Sequence, residues 1–340
     1  MRGTPGNLAR GAAGDAMLLD MSSRPAPALA PATPVRIAVA LVALYVVWGS
    51  TYLAIRVAVE TIPPLTGSAV RFLIAGGVLF ALTIRRGDAA GDRPGRLEWR
   101  DAAIIGGLLL AGGNGLLAVG EQTVPSGIAA LIIATLPLWV AILGRVFFGV
   151  VLTRTIVAGT VIGFAGVAVL VWPTGASGGL DPFGVAVVFL SPVFWATGSL
   201  FSRTAHVPRR PLVGTAMQML AGSAVLFVLA VITGDLFRVR PAEITRESLA
   251  AVAYLVLIGS LVGYTAYVWL LRVAPISLVA TYAYVNPVIA VLLGGLVLAE
   301  PLEPRTLAAG AIIVAAVAVI VRARGGESRR VAPEEVGEPG

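Results

Sequence analysis

The chain contains no cysteine and no lysine, and His206 is its only histidine. Without cysteine there are no disulfides and no thiolate metal sites. Without lysine there is no G-x-x-x-x-G-K-[ST] loop, so the chain does not hydrolyse ATP by a P-loop. His206 sits in a loop beside Arg203, Arg209 and Arg210. Acid–base work needs a positioned partner, so it reads as a solvated loop residue. Charge is scarce as well: 13% of the 340 residues are charged, against about a quarter in a soluble domain.

What remains is apolar. Hydrophobic residues make up 57% of the chain and its mean hydropathy is +0.90. Apolar stretches of roughly 17–25 residues recur, each able to cross a hydrocarbon core about 30 Å thick. The fold class is therefore an all-α polytopic membrane protein. Runs between breakers predict ten spans, near 35–58, 66–84, 101–120, 125–148, 154–172, 183–202, 212–233, 248–271, 275–298 and 304–322. Proline, glycine or charge marks the connections, as at Pro63-Pro64, Pro125, Pro173 and Pro301. Residues 1–34 are rich in Ala, Pro, Gly and Ser and are predicted to be a disordered tail. The tail lacks the apolar core of a signal peptide, and Met17 and Met21 are alternative starts within it. Residues 323–340 are polar and predicted unstructured.

A net charge of +7 and a pI near 10.5 could suggest nucleic acid, but the arginines follow alternate loops instead of forming a patch. With the N-terminus inside, nineteen of the 25 arginines fall in the tails and inner loops. Only Arg238, Arg240, Arg246 and Arg305 fall outside, while Arg56 and Arg71 lie within spans. The positive-inside rule then places both termini in the cytoplasm, with the chain in the cytoplasmic (inner) membrane.

The sequence also repeats. An offset of 147 lays WGSTYLAIR (48–56) over WATGSLFSR (195–203), matching Trp48 to Trp195, Arg56 to Arg203 and Pro64 to Pro211. Past the longer loop at 234–247 the offset becomes 150, matching Gly113 to Gly263, Pro125 to Pro275, Pro137 to Pro287 and Gly144 to Gly294. Five spans per half is odd, so the halves, 35–172 and 183–322, enter the membrane from opposite faces. Inverted repeats of this kind serve alternating access around a site near the midplane.

The same residues resemble the EamA family of the drug/metabolite transporter superfamily. WGSTYLAIRVAVETIPPLTGSAVRFLIAG (48–76) and SGIAALIIATLPLWVAIL (126–143) are similar to the first EamA domain, and ISLVATYAYVNPVIAVLLGGLVLAEPL (276–302) to the end of the second. VPSGIAA and TYAYVNPVIAVLLG bring the chain nearest to the YedA-like inner-membrane transporters. The resemblance implies a ten-helix carrier of small organic metabolites, commonly an exporter. One departure stands out. The family ends its fourth helix with Gly-Glu, kept here in the second half as Ala299-Glu300, whereas the first half has Gly149-Val150.

Candidate site residues follow from polarity at membrane depth. Pro137 and Pro287 lie near the centres of spans four and nine, where each frees a carbonyl, either to line a cavity or only to kink the helix. Asn286 is costly in lipid and should face the interior, with Tyr282 one turn before it. Ser260, Tyr264 and Tyr267 form a stripe in span eight, and Asn114 adds an amide to span three. With Trp48, Ser50, Thr51 and Trp195 these make a substrate-binding set suited to an organic solute; the competing reading of the aromatics is an interfacial belt. Arg56, Glu60, its i+4 partner, Arg71 and Glu121 are expected toward the outer face as a gate, with snorkelling as the plain alternative for Arg56. Glu121 and Glu300 are candidate proton-coupling carboxylates, but both lie near interfaces, which favours a solvated or structural role for each. Gly159, Gly163 and Gly166 form a packing face, within the chain or against a second subunit.

The function expected is secondary active transport, the partners expected being a small-molecule substrate and the bilayer, with proton coupling, no nucleic acid, no metal and no cofactor. The alternative is a membrane-embedded enzyme acting on lipid-linked substrates, which would need clustered titratable groups near the surface.

Overall fold

The computed structural model describes residues 33–84, 94–149, 152–172, 180–274, 276–279 and 281–331. The predicted tail through residue 32, Val150 and residues 332–340 lie outside them. Among the described residues nine helices are long and apolar enough to cross a bilayer. They are α1 (Pro34–Ala58), α2 (Pro64–Ile84), α3 (Arg96–Gly120), α4 (Ser126–Phe148), α5 (Arg154–Val171), α6 (Pro182–Phe201), α7 (Pro211–Ile232), α8 (Arg246–Leu270) and α10, whose apolar part is Pro304–Val321. The remaining place is taken by α9, a short piece Ile276–Val279 followed by the apolar helix Tyr282–Val297. Helix α10 continues to Val331, so the tail expected to be unstructured from 323 is helical that far; extending a formed helix costs little per residue.

Helix starts follow sequence chemistry. Proline opens α1, α2, α6, α7 and α10, where its missing N–H would be unpaired anyway. Thr33, Thr153, Asp181 and Thr245 cap α1, α5, α6 and α8 through their side-chain oxygens. At the other end, Gly149 (φ 65°) stops α4 in the left-handed conformation. Its repeat counterpart Ala299 has φ 52°, so both halves end the fourth helix alike although only one carries glycine.

Two features inside the helices were not read from sequence. Helices α3 and α8 each contain a π-helical stretch, Gly107–Gly115 and Leu255–Val262, at corresponding places in the two repeats. Such widened turns carry irregular backbone into a membrane interior. The prolines also differ from the symmetric breaks expected of them. Helix α4 breaks at Ala134–Thr135, directly before Pro137. In the second half the interruption falls between Val279 and Tyr282, and Pro287 sits inside an unbroken helix. A proline within a helix removes one backbone bond, and here that does not end the helix.

Packing obeys the repeat. Helix α1 packs on α8 and α9, as α6 packs on α3 and α4, while α2 meets α7, α5 meets α10 and α4 meets α9. Serine hydroxyls donate across these seams: Ser191 to the Gly113 carbonyl, Ser223 to Ala69 and Ser248 to Val57, each at 2.8 Å. Where α3 crosses α7, a β-carbon on Gly106 would lie 2.3 Å from the Gln218 carbonyl oxygen, so only glycine allows that approach. The two repeat tryptophans are reciprocal. Trp48 of the first half lies against Gly263 of the second, and Trp195 of the second lies against Gly113 of the first.

Candidate functional site

Helix α1 brings Trp48 to three tyrosines from the other repeat. Its ring lies 5.5 Å from Tyr264, 5.1 Å from Tyr267 and 5.1 Å from Tyr282, and the last two rings are 5.9 Å apart. The edge-to-face arrangement at Tyr264 and Tyr282 suits ring quadrupoles. Tyr45 adds a hydroxyl bond to Thr281 beside the break in α9. Trp48 is near the middle of α1, and the three tyrosines occupy the half of the bundle nearer the chain termini. These rings pack together between α1, α8 and α9 on the terminal side. The second repeat has no such box. At the offset of 150, Tyr264, Tyr267 and Tyr282 correspond to Asn114, Leu117 and Ile132, so Trp195 stands apart from the cluster.

The other polar candidates are tied to the backbone. Ser50 donates to the Val47 carbonyl at 2.9 Å and shares a hydrogen bond with the Tyr254 hydroxyl at 2.7 Å. Thr51 donates to the Trp48 carbonyl at 2.6 Å. Asn114 donates to the Leu109 carbonyl, 3.4 Å away and five residues back within the π-helical stretch. Asn286 is buried against α1, and its side-chain oxygen has no partner among the described residues, an uncompensated cost at this depth.

The four residues expected as an outer gate do not act as one group. Arg56 donates to the carbonyls of Glu121 and Gln122 rather than pairing with Glu60. Glu60 is exposed and lines a 230 Å³ vestibule with Asp235, Arg238 and Glu243. Arg71 is not at the rim: it is 6% exposed and its Nε donates to Ser260 at 3.1 Å. Glu121, at the distal end of α3, is fully buried, and both its carboxyl oxygens lack partners among the described residues. Burial first, and then the Glu300 carboxylate, push its pKa well above the usual 4.5, against a smaller opposite pull from Arg56. Glu300 has a structural engagement. It accepts from the backbone N–H of Ser126 at 2.7 Å and of Gly127 at 3.1 Å, capping α4 from the other repeat.

On the distal side, away from the termini, lies a cavity of about 1200 Å³. It is bounded by the start of α4, the ends of α5, the start of α6 and the start of α10, with Val291 from α9. Phe164 and Phe189 line it and pack on Trp139, with ring centroids 5.2 and 5.5 Å away. Asp181 at its edge accepts from the Thr123 hydroxyl at 2.8 Å and the Gly184 N–H at 2.9 Å. These bonds hold its pKa below the ordinary carboxylate value. Of the candidate site residues, Glu300 alone lines this cavity. Thr123, Asp181, Glu303, Arg305 and Thr306 are its other polar lining residues, while much of its helical wall is Ala, Val, Ile and Phe, which carry no signal distinguishing them from lipid-facing positions.

The terminal side has a further tie. Asp101, in the first turns of α3, accepts from the backbone and ring nitrogens of His206 at 2.7 and 2.8 Å and from Arg100 at 2.8 Å. His206 is thus bonded to a buried carboxylate, not simply solvated. Spans 100 residues apart in sequence gave no hint of this pairing.

The family model described as the EamA-like transporter family matches residues 36–172 and 182–322. The chain is 40% identical over 282 residues to the uncharacterized inner membrane transporter YedA of Escherichia coli K12, covering 82% of this chain and 89% of that protein. It is 29% identical over 295 residues to a probable terminal-alkyne amino-acid exporter of Streptantibioticus cattleyicolor, covering 85% and 95%. One solved structure superposes with a TM-score of 0.59 at 22% identity, over 88% of this chain and 100% of its own. That likeness is one of fold.

Proposed function

The chain belongs to the EamA-like transporter family, and from that membership we propose that it is a secondary active exporter of small organic metabolites or drugs, working by alternating access across the cytoplasmic membrane with both termini inside. The observation that carries this reading is the reciprocal joint, Trp48 on Gly263 and Trp195 on Gly113. The same contact occurs twice in opposite orientations, so one repeat can close as the other opens. The aromatic box on the terminal side and the cavity on the distal side support a state that is shut inward and open outward. The exporter named among its relatives supports the direction of flux.

Proton coupling rests on Glu121. A buried carboxyl without a partner is stable only when neutral, so it takes up a proton in this state and gives it up where water or Arg56 reaches it. We assign substrate contact to Trp48, Tyr264, Tyr267, Tyr282 and Asn286, coupling to Glu121, and a capping role to Glu300. The test is efflux from liposomes loaded with mixed amino acids and aromatic metabolites, read by mass spectrometry with and without a pH gradient. Saturable efflux that the gradient changes is expected, weakened in Tyr282→Ala and Asn286→Ala. Flux equal to that of protein-free liposomes would refute the transport reading.

A further inference from the structure

Arg71 is a buried cation without a carboxylate. Its Nε donates to the neutral hydroxyl of Ser260, and among the described residues nothing bonds its two terminal nitrogens, which are not fully enclosed. No ion pair to it occurs among those residues, and the Phe72 ring, 4.7 Å away, offers only its face. A guanidinium presents five N–H donors, and one that is 6% exposed with its terminal donors reaching a cleft is by default a functional position inside a membrane. The surroundings leave room at those nitrogens. Gly259 lies alongside, where a β-carbon would be 3.5 Å from Arg71 Nη2, and the π-helical turn of α8 supplies both Gly259 and Ser260. Arg71 also lines a narrow cleft between α1, α2, α3 and α8 that shares walls with the distal vestibule.

The position relative to the aromatic box gives the ligand its shape. Gly259 touches Thr51 beside Arg71, and one turn further along the same two helices Gly263 touches Trp48. One helical turn is about 5 Å. We propose that Arg71 binds the carboxylate of a small organic acid whose apolar or aromatic body lies on Trp48 and its tyrosines. This deepens the transport reading and rests on it, because the cleft holds only about 20 Å³ in this state, room for roughly one water. Opening during the transport cycle admits the ligand.

The test uses full-length protein in nanodiscs and isothermal titration with 3-phenylpropionate, 3-phenylpropanol and 3-phenylpropylamine, against empty nanodiscs. A charge-assisted bond to the guanidinium should make the acid bind about tenfold or more tightly than the alcohol. Arg71→Gln should remove that preference, Arg71→Lys should keep part of it, and Ser260→Ala should change it only a few-fold. Equal binding of acid and alcohol by the wild type, or no binding by any of the three, overturns the proposal even where Arg71→Gln fails to fold. Inorganic phosphate displacing the acid at equal concentration would assign Arg71 to bare anions and overturn the organic class. Liposome efflux that persists after either result leaves the transport reading standing and this one refuted.

Discussion

Glu121 and Glu300 are both acidic residues at the distal end of a helix, yet their surroundings divide their roles. Glu300 satisfies two backbone N–H groups at the start of α4 and acts as its cap. Glu121 has no partner among the described residues and is pushed toward its neutral form by burial and by Glu300. A carboxyl whose folded pKa is raised binds its proton more tightly when folded. Its stabilising contribution is therefore present in acid and is lost as pH rises above about 4.5 through the raised folded value. Thermal unfolding in nanodiscs should show stability falling with pH in that window, and Glu121→Gln should flatten the slope. An unchanged slope in the variant would place the titration elsewhere. Infrared difference spectra should show the neutral carboxyl band surviving to lower pH limits in Glu300→Gln, because removing the Glu300 charge lowers the Glu121 pKa. The same substitution leaves one of the two accepting oxygens at the start of α4, so it should cost roughly 0.5–1 kcal/mol.

At the scale of helices, close approach is decided by glycines that sequence alone does not rank. Gly106 faces the Gln218 carbonyl at a distance no β-carbon tolerates, whereas a β-carbon on Gly77 meets nothing within 4 Å. Gly106→Ala should therefore destabilise the protein by about 1–3 kcal/mol through overpacking. Gly77→Ala should stabilise it by up to about 1 kcal/mol through helix propensity. Melting of the two variants in the same detergent reads both signs, and a similar loss in each would mean that the α3–α7 crossing is not the constraint. The repeat was legible at this level because Trp, Arg and Pro matches are rare in apolar sequence. The π-helical stretches were not, since GLLLAGGNG and LVLIGSLV are as compatible with ordinary α-helix. Nor was the asymmetry of Pro137 and Pro287, which depends on what surrounds each helix.

For the whole molecule, the absence of cysteine makes side-specific labelling direct. Single substitutions Ala168→Cys and Ala186→Cys, on the walls of the distal cavity, should react with an impermeant maleimide added outside intact cells. Thr281→Cys, beside the aromatic box, should react only after permeabilisation. The reverse pattern would invert both the topology and the side taken as open. By itself the sequence determined the membrane class, the ten spans and the inverted pairing of halves, because span length, arginine distribution and repeat spacing are properties of the chain's own pattern. It also drew Trp48 and three tyrosines into one candidate set, and the fold brings those four together. Only tertiary structure decided that Arg56 binds carbonyls instead of Glu60, and that, among the described residues, Arg71 is buried without a carboxylate and Glu121 is unpartnered while Glu300 is a cap. Charge type is written in the sequence. Whether a charge is satisfied depends on which groups from distant helices arrive beside it.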